Sequence, residues 1–108
     1  MLIVPVDKIK KNHAVIISIF KLKQGVSVDD FMVASDKLNK EFLKKQKGYI
    51  SRQLLSDGET WTDLLAIKSK ELAEKIVGTA EAGGTAFDGY ISLIDCDKDY
   101  VLTVQKCY

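Results

Sequence analysis

The sequence is poor in the residues that build metal centres, disulfides and nucleophilic triads. It has one histidine and two cysteines among 108 residues. Cys96 and Cys107 do not form a CxxC pair and have no histidine beside them, which argues against a disulfide framework or a structural zinc site. Nucleophilic catalysis by Ser18 or Ser51 lacks a base, because the single histidine, His13, is expected on the surface at the start of a strand. We expect no metal and no other cofactor.

The sequence also lacks an excess of one charge and any long apolar run. It has 16 basic and 15 acidic residues and a net charge of +1, so nothing attracts it in general to nucleic acids or anionic membranes. No segment approaches the roughly 20 apolar residues of a membrane span. The N-terminus, MLIVPVDKIKKN, has neither the apolar region nor the cleavage site of a signal peptide. We expect a cytoplasmic protein that binds no nucleic acid and no membrane.

Capping residues mark the ends of two helices. Ser27 can accept from the free amides of a first helix, and Asp30 stands three residues on, where a capping box has its acid. Gly48 follows a lysine-rich last turn and is typical of a helix stop. Ser69 is in the same way the expected cap of a second helix.

The order of the predicted elements indicates the fold class. We predict a strand over 14–22, a helix from Ser27, a hairpin over 49–67, a helix over about 70–79, a short helix or helical turn over 86–94, a turn over 95–99 and a strand over 100–107. This β-α-β-β-α-β order predicts an α+β, ferredoxin-like domain, in which a four-stranded antiparallel sheet carries its helices on one face. It would occupy residues 14–108, after an N-terminal extension over 1–13. RNA-recognition domains share this order, but their aromatic strand signature is missing here.

The hairpin places two charged residues where core residues are expected. Asp57-Gly58 predicts a two-residue turn with positive φ at both positions, which makes Ser56 face Glu59. In that register three pairs lie opposite each other on one face of the sheet: Leu54 with Trp61, Arg52 with Asp63, and Ile50 with Leu65.

Two interpretations of this face remain open. Arg52 and Asp63 are either a structural ion pair that sets the register of the hairpin, or the polar element of a pocket. In the pocket, Trp61, Leu54, Ile50 and Leu65 would form the floor and Arg52 would hold an oxyanion or a phenolate. Periodicity alone does not decide whether this face looks toward the helices.

Several motifs in and around the hairpin resemble one family. They are the helix entry KQGVS over 23–27, Gly48, Ser-Arg-x-Leu-Leu over 51–55, Trp-x-Asp over 61–63, and Ser69. Over residues 14–107 the chain resembles the antibiotic biosynthesis monooxygenase-like superfamily. The resemblance implies a homodimeric α+β barrel, in which two ferredoxin-like monomers pack sheet to sheet and each keeps a pocket between sheet and helices.

The resemblance also implies an activity and a set of site residues. Some members oxidise aromatic polyketides or quinols with O₂ and no metal or flavin, so it implies a monooxygenase-like protein with a small aromatic ligand. It implies catalytic roles for Trp61, Arg52 and Asn12, and a ligand contact for Ser18. The pocket interpretation of the hairpin adds ligand contacts for Asp63, Leu54, Ile50 and Leu65. The haem-degrading branch fits poorly, because residues 69–94 contain no histidine. A non-catalytic protein that binds a small ligand, or a dimeric scaffold, remains the alternative.

Overall fold

The computed structural model describes residues 9–81 and 84–108. Its elements are β1 (Ala14–Leu22), α1 (Val28–Glu41), a 3₁₀ turn (Leu43–Lys45), β2 (Tyr49–Ser56), β3 (Trp61–Ile67), α2 (Lys70–Glu81), α3 (Thr85–Ile91) and β4 (Ile94–Thr103). The strands form one antiparallel sheet in the order β2-β3-β1-β4, with the helices on one face. The predicted ferredoxin-like, α+β fold is confirmed. Ala82 and Gly83, part of the predicted break after the second helix, lie outside the described residues, as do residues 1–8 of the predicted extension.

Both predicted helix caps are present. The Ser27 hydroxyl accepts from the Asp30 amide at 3.1 Å, and the Ser69 hydroxyl accepts from the Leu72 amide at 3.2 Å. Gly48 is a required glycine, because its φ is +89° and a Cβ there would lie 2.6 Å from Leu72 Cδ1. The chain therefore passes close to α2 as it enters β2.

An aromatic cluster settles which way the Trp61 face points. Trp61 packs against Phe31 of α1, with ring centroids 5.1 Å apart, and Phe31 in turn contacts Phe20 and Tyr90. All four residues are buried. The face that carries Trp61 therefore looks toward the helices and forms the core.

The predicted register of the hairpin is wrong by two residues. Ser56, not Leu54, lies opposite Trp61. Leu54 lies opposite Asp63, and Arg52 lies opposite Leu65. Because side chains alternate along a strand, a shift of two leaves each on its predicted face. A bulge between Tyr49 and Ser51 removes Ile50 from the predicted pairing with Leu65.

The error comes from the turn. Four residues, 57–60, join the strands, and the Asp57 side chain organises them by accepting from the amides of Glu59 at 2.9 Å and Thr60 at 2.8 Å. Gly58 has a φ of +101°, whereas Asp57 is not at positive φ. A carboxylate that bonds the backbone two and three residues on has thus replaced the predicted two-residue turn.

The last strand begins six residues earlier than predicted. Residues 95–99, predicted as a turn, belong to β4, which ends at Thr103 rather than at Cys107. Asp95 pairs with Lys21 of β1, and Lys98 pairs with Ile19. Pairing with the central strand has outweighed the weak strand preference of this acidic stretch. The short helix predicted before it is present as α3.

A β-bulge interrupts β4 near its start. Phe20 and Ser18, two residues apart on β1, pair with Cys96 and Asp99, which are three residues apart. Asp97 is the extra residue, so Cys96 and Asp99 both lie on the helix-covered face.

No helix within the described ranges is both long and apolar enough to cross a membrane.

Candidate functional site

A cavity of about 260 Å³ lies between the sheet and the helices. Its walls are mostly apolar and come from all three helices and from β1, β3 and β4; they include Leu38, Leu65, Ile76, Val77, Ala80 and Phe87. Its polar lining includes Ser18, Asp63, Tyr90, Cys96 and Asp99. An apolar cleft with a few convergent polar groups is the usual form of a small-molecule site.

Two residues that line the cavity, Asp63 and Tyr90, form a hydrogen-bonded cluster with Arg52, which lies behind them. Arg52 Nε donates to Asp63 Oδ1 at 3.0 Å, and Arg52 Nη2 donates to Asp63 Oδ2 at 2.8 Å. The Tyr90 hydroxyl also donates to Asp63 Oδ2, at 2.8 Å, and Arg52 Nη1 donates to the Ser35 carbonyl of α1 at 3.1 Å. The side chains of Arg52 and Asp63 are only 5% and 13% exposed. We call Arg52, Asp63 and Tyr90 the Arg–Asp–Tyr cluster.

The cluster keeps its arginine charged and its tyrosine protonated. Burial by itself lowers the pKa of Arg52, but the hydrogen bonds and the charge of Asp63 outweigh it, and the net pKa is raised. Burial, together with the nearby Asp63 charge, raises the pKa of Tyr90 well above its usual range. Tyr90 is therefore a hydrogen-bond donor to Asp63 at any ordinary pH, and it is not a source of protons.

A row of polar side chains crosses the sheet at the base of the cavity. Ser18 of β1 is directly paired with Asp63 of β3 on one side and with Asp99 of β4 on the other. We call Asp63, Ser18 and Asp99 the polar row. Within the described residues the Ser18 hydroxyl makes no hydrogen bond. The row thus begins in the Arg–Asp–Tyr cluster and ends at the exposed edge strand.

Cys96 completes the β4 end of the row. Its thiol lies 3.4 Å from Asp99 Oδ1 and donates a weak hydrogen bond to it. Partial burial, the bond to Asp99 and the nearby acidic charges together raise the pKa of the Cys96 thiol to about 11. Cys96 is therefore a neutral thiol near neutral pH and a poor nucleophile.

The structure brings together only some of the residues predicted from the sequence. Ser18, Asp63 and Leu65 line the cavity. Arg52 lies behind Asp63, and its donors are directed at Asp63 and Ser35 rather than into the cavity. Trp61 packs in the aromatic core, where Leu54 also lies against the cluster of buried residues.

Asn12 and Ile50 lie apart from the other predicted residues. Asn12 precedes β1 and has a φ of +73°. Its backbone N–H donates to the Val104 carbonyl at 2.9 Å. Trp61 pairs with Phe20 near the other end of β1, so Asn12 and Trp61 lie toward opposite ends of that strand. Ile50 lies at the bulge of β2 and is not among the residues lining the cavity.

The sequence analysis missed Tyr90, Cys96 and Asp99 as site residues. A helical reading of residues 86–94 places Tyr90 on the same face as Ala86 and Phe87, so its direction could have been found from that spacing. Nothing in the sequence marks the bulge at Asp97, which turns Asp99 to the helix side.

Within the described ranges, no group of three or more His, Cys, Asp or Glu residues is arranged to hold a metal ion.

Solved structures share the architecture of this chain. SnoaB, a cofactor-independent oxygenase from Streptomyces nogalater, is similar with a TM-score of 0.69 at 10% identity, over 89% of this chain and 96% of SnoaB. The protein YjcS is similar with a TM-score of 0.64 at 13% identity, over 86% and 99% of the two chains. A conserved protein from Methanosarcina mazei Go1 has a TM-score of 0.62 at 16% identity, over 90% and 95%.

At such identities these similarities show the fold alone. The chain has a ferredoxin-like fold similar to that of SnoaB, which confirms the fold that the sequence resemblance implied for each monomer. No family model matches the sequence, and no curated protein matches it significantly.

Proposed function

We propose that the protein binds a small aromatic ligand of the phenol or quinol class in the cavity between sheet and helices. The observation that carries this proposal is the combination of apolar walls with the polar row. An apolar cavity of roughly 150 Å³ holds a benzene molecule. The cavity here has about 260 Å³, which leaves room for a second ring. A ring hydroxyl can donate to the row while the ring fills the apolar part.

Oxidation of that ligand is the second candidate function, and the fold similarity to SnoaB, a cofactor-independent oxygenase, favours it. In that reaction, the ring CH₂ group in the keto tautomer of such a phenol and one O₂ become a ring carbonyl and one water. The electrons come from the substrate, so that neither a metal nor a flavin is required. The apolar walls of the cavity would keep most bulk water away from the reactive intermediate.

Ligand binding can be tested by filling the cavity. Val77 lines it from α2, and Val77→Phe adds a ring to its interior. Val33→Phe is the matched control, since Val33 is 69% exposed on the outer side of α1. We expect titration calorimetry to show that 2-naphthol binds the unaltered protein, that Val77→Phe weakens binding at least tenfold, and that Val33→Phe does not change it. Equal affinities of the two variants would contradict binding in the cavity.

Oxygenase activity needs a separate measurement. A polycyclic ring ketone with a reactive CH₂ group, such as anthrone, should consume O₂ faster with the protein than without it, in buffer treated to remove metals. One O₂ should be used for each carbonyl formed, and Val77→Phe should return the rate to the background. Binding without any rate above background would leave a ligand-binding protein and exclude oxidation of that substrate.

Homodimerisation through the open sheet face is part of the proposal. The side of the sheet away from the helices carries Val15, Ile17 and Ile19 of β1 beside the exposed Leu55 and Leu102. A contiguous apolar patch of this kind marks an interaction surface. A second copy of the same chain would bury this apolar patch, because the open sheet faces of two copies can pack against each other about a two-fold axis.

Light scattering coupled to size-exclusion chromatography would test the dimer. Ile17 is at the centre of the open face, so Ile17→Glu should halve the measured mass. Val33→Glu adds the same charge on the exposed side of α1 and should leave the mass unchanged. A monomeric unaltered protein at about 100 μM would contradict the dimer.

A further inference from the structure

We propose that the cavity selects uncharged or cationic ring ligands that donate hydrogen bonds to the polar row, and that it rejects anions. Because this preference presupposes a ligand in the cavity, it rests on the function proposed above. Asp99 would be the residue that sets the selectivity, and Ser18 would position the donor group of the ligand between the two carboxylates.

The lining of the cavity has acidic side chains and no basic ones. Asp63 and Asp99 line it, and among the residues that the structure describes no lysine, arginine or histidine does. An anion placed on the row would therefore meet two carboxylates and no cation that is free to bind it. Like charges a few ångströms apart repel strongly where low-polarity walls replace water.

Arg52 does not supply the missing positive charge. Nε and Nη2 are bonded to Asp63, and Nη1 is bonded to the Ser35 carbonyl. The side chain is 5% exposed and, unlike Asp63, it does not line the cavity. To hold an anionic ligand, Arg52 would first have to leave a buried ion pair, and an unpaired buried charge is costly. The arginine thus neutralises Asp63 and is not free to bind a phenolate.

Asp99 carries a charge that no ion pair balances within the described residues. Its only hydrogen-bond donor there is the weakly donating Cys96 thiol at 3.4 Å. Ser18, its partner across the strands, has a hydroxyl that can accept from a ligand as well as donate to one. A ligand hydroxyl or ammonium group placed between Ser18 and Asp99 could donate to both side chains, because the two residues lie opposite each other on neighbouring strands.

Three probes with one ring system measure the preference. They are 2-naphthalenemethanol, which is neutral, 2-naphthylmethylamine, which is cationic at neutral pH, and 2-naphthoate, which is anionic. Titration calorimetry at pH 7 should give affinities for the alcohol and the amine at least tenfold higher than for the carboxylate. In Asp99→Asn the ratio of amine to carboxylate affinity should fall at least threefold.

Asp97→Asn is the control, because it removes the same charge from the same strand at a residue that does not line the cavity. It should leave the ratio unchanged. The proposed selectivity is wrong, and the ligand site stands, if the alcohol binds but the carboxylate binds as tightly as the alcohol and the amine. The same conclusion follows if Asp99→Asn and Asp97→Asn lower the ratio of amine to carboxylate affinity equally. If none of the probes binds, both proposals fail.

Discussion

Asp63 and Asp99 lie one strand to either side of Ser18, yet their surroundings differ in almost every respect. Asp63 accepts hydrogen bonds from Arg52 and Tyr90 and is nearly buried. Asp99 is exposed, and among the described residues its only hydrogen-bond donor is the Cys96 thiol. The two carboxylates of one row therefore differ in role: the first holds β2, β3 and α3 together, whereas the second has hydrogen-bonding capacity to spare.

Removing the buried carboxylate should have the largest effect on stability. Asp63→Ala leaves the Arg52 charge and the Tyr90 hydroxyl buried without their acceptor, which should lower the free energy of unfolding by about 3 to 5 kcal/mol. Asp99→Ala should change it by less than about 0.5 kcal/mol, as surface substitutions usually do. Urea unfolding followed by Trp61 fluorescence measures both. Similar losses of unfolding free energy in Asp63→Ala and Asp99→Ala would contradict the structural role that we assign to Asp63 alone.

A double-mutant cycle sharpens the role of the ion pair. Arg52→Ala and Asp63→Ala each leave one buried charge, but the double variant leaves neither. Its loss in stability should therefore be smaller than the sum of the single losses by about 2 kcal/mol. Strictly additive losses would mean that the 2.8 Å contact between the two side chains contributes no coupling.

Tyr90→Phe isolates the third member of the Arg–Asp–Tyr cluster. It removes one hydrogen bond to a charged acceptor and should cost about 1.5 kcal/mol at neutral pH. The raised pKa of Tyr90 means that the folded state holds this proton more tightly than the unfolded state, whose value is near 10.0. Its contribution is thus complete below pH 10 and is lost as the pH rises above it.

The pH dependence gives Tyr90 a signature that packing alone would not produce. Between about pH 9 and pH 11 the unaltered protein should lose more stability than Tyr90→Phe does. All other groups are the same in the two proteins, and their contributions cancel in the difference. Parallel curves would show that the Tyr90 hydroxyl is not held as the structure describes.

The smallest effect is expected at the exposed end, and it is chemical. In a Cys107→Ser background Cys96 is the only thiol, and its alkylation by iodoacetamide should rise with an inflection near pH 11. Asp99→Asn removes an acceptor and a negative charge beside the thiol, so the inflection should move to lower pH. Asp95→Asn, on the other side of the strand, should move it less. An inflection near pH 9 that is the same in Asp99→Asn would mean that the Cys96 thiol and the Asp99 carboxylate are not in contact.

The sequence was a good guide to faces and a poor guide to register. Alternation along the strand placed Arg52, Trp61 and Asp63 on one side, and that result survives any shift by two residues. The register depended on the turn, where the Asp57 carboxylate organises four residues instead of two. Propensity rules treat that aspartate as a turn former without saying which amides it will bond.

The β4 end of the site was beyond reach of sequence reasoning for a different reason. Residues 95–99 are acidic and have little preference for strand, and they become strand only because β1 offers them a partner. Tyr90 was visible as an aromatic residue of an ambiguous segment, but its acceptor, Asp63, lies 27 residues away in the chain. Contacts of that kind depend on the assembled fold and not on local pattern.

The extra residue in β4 has a consequence for how this site can change over time. Lys98 and Asp99 follow Asp97 and pair with Ile19 and Ser18, so the strand resumes its normal alternation one residue late. Deleting Asp97 would remove the bulge and leave these pairs as they are, so the acidic mouth of the cavity would survive the loss of one codon. The mouth would become basic only if β4 paired regularly while it still contained Asp97, because Lys98 would then lie opposite Ser18.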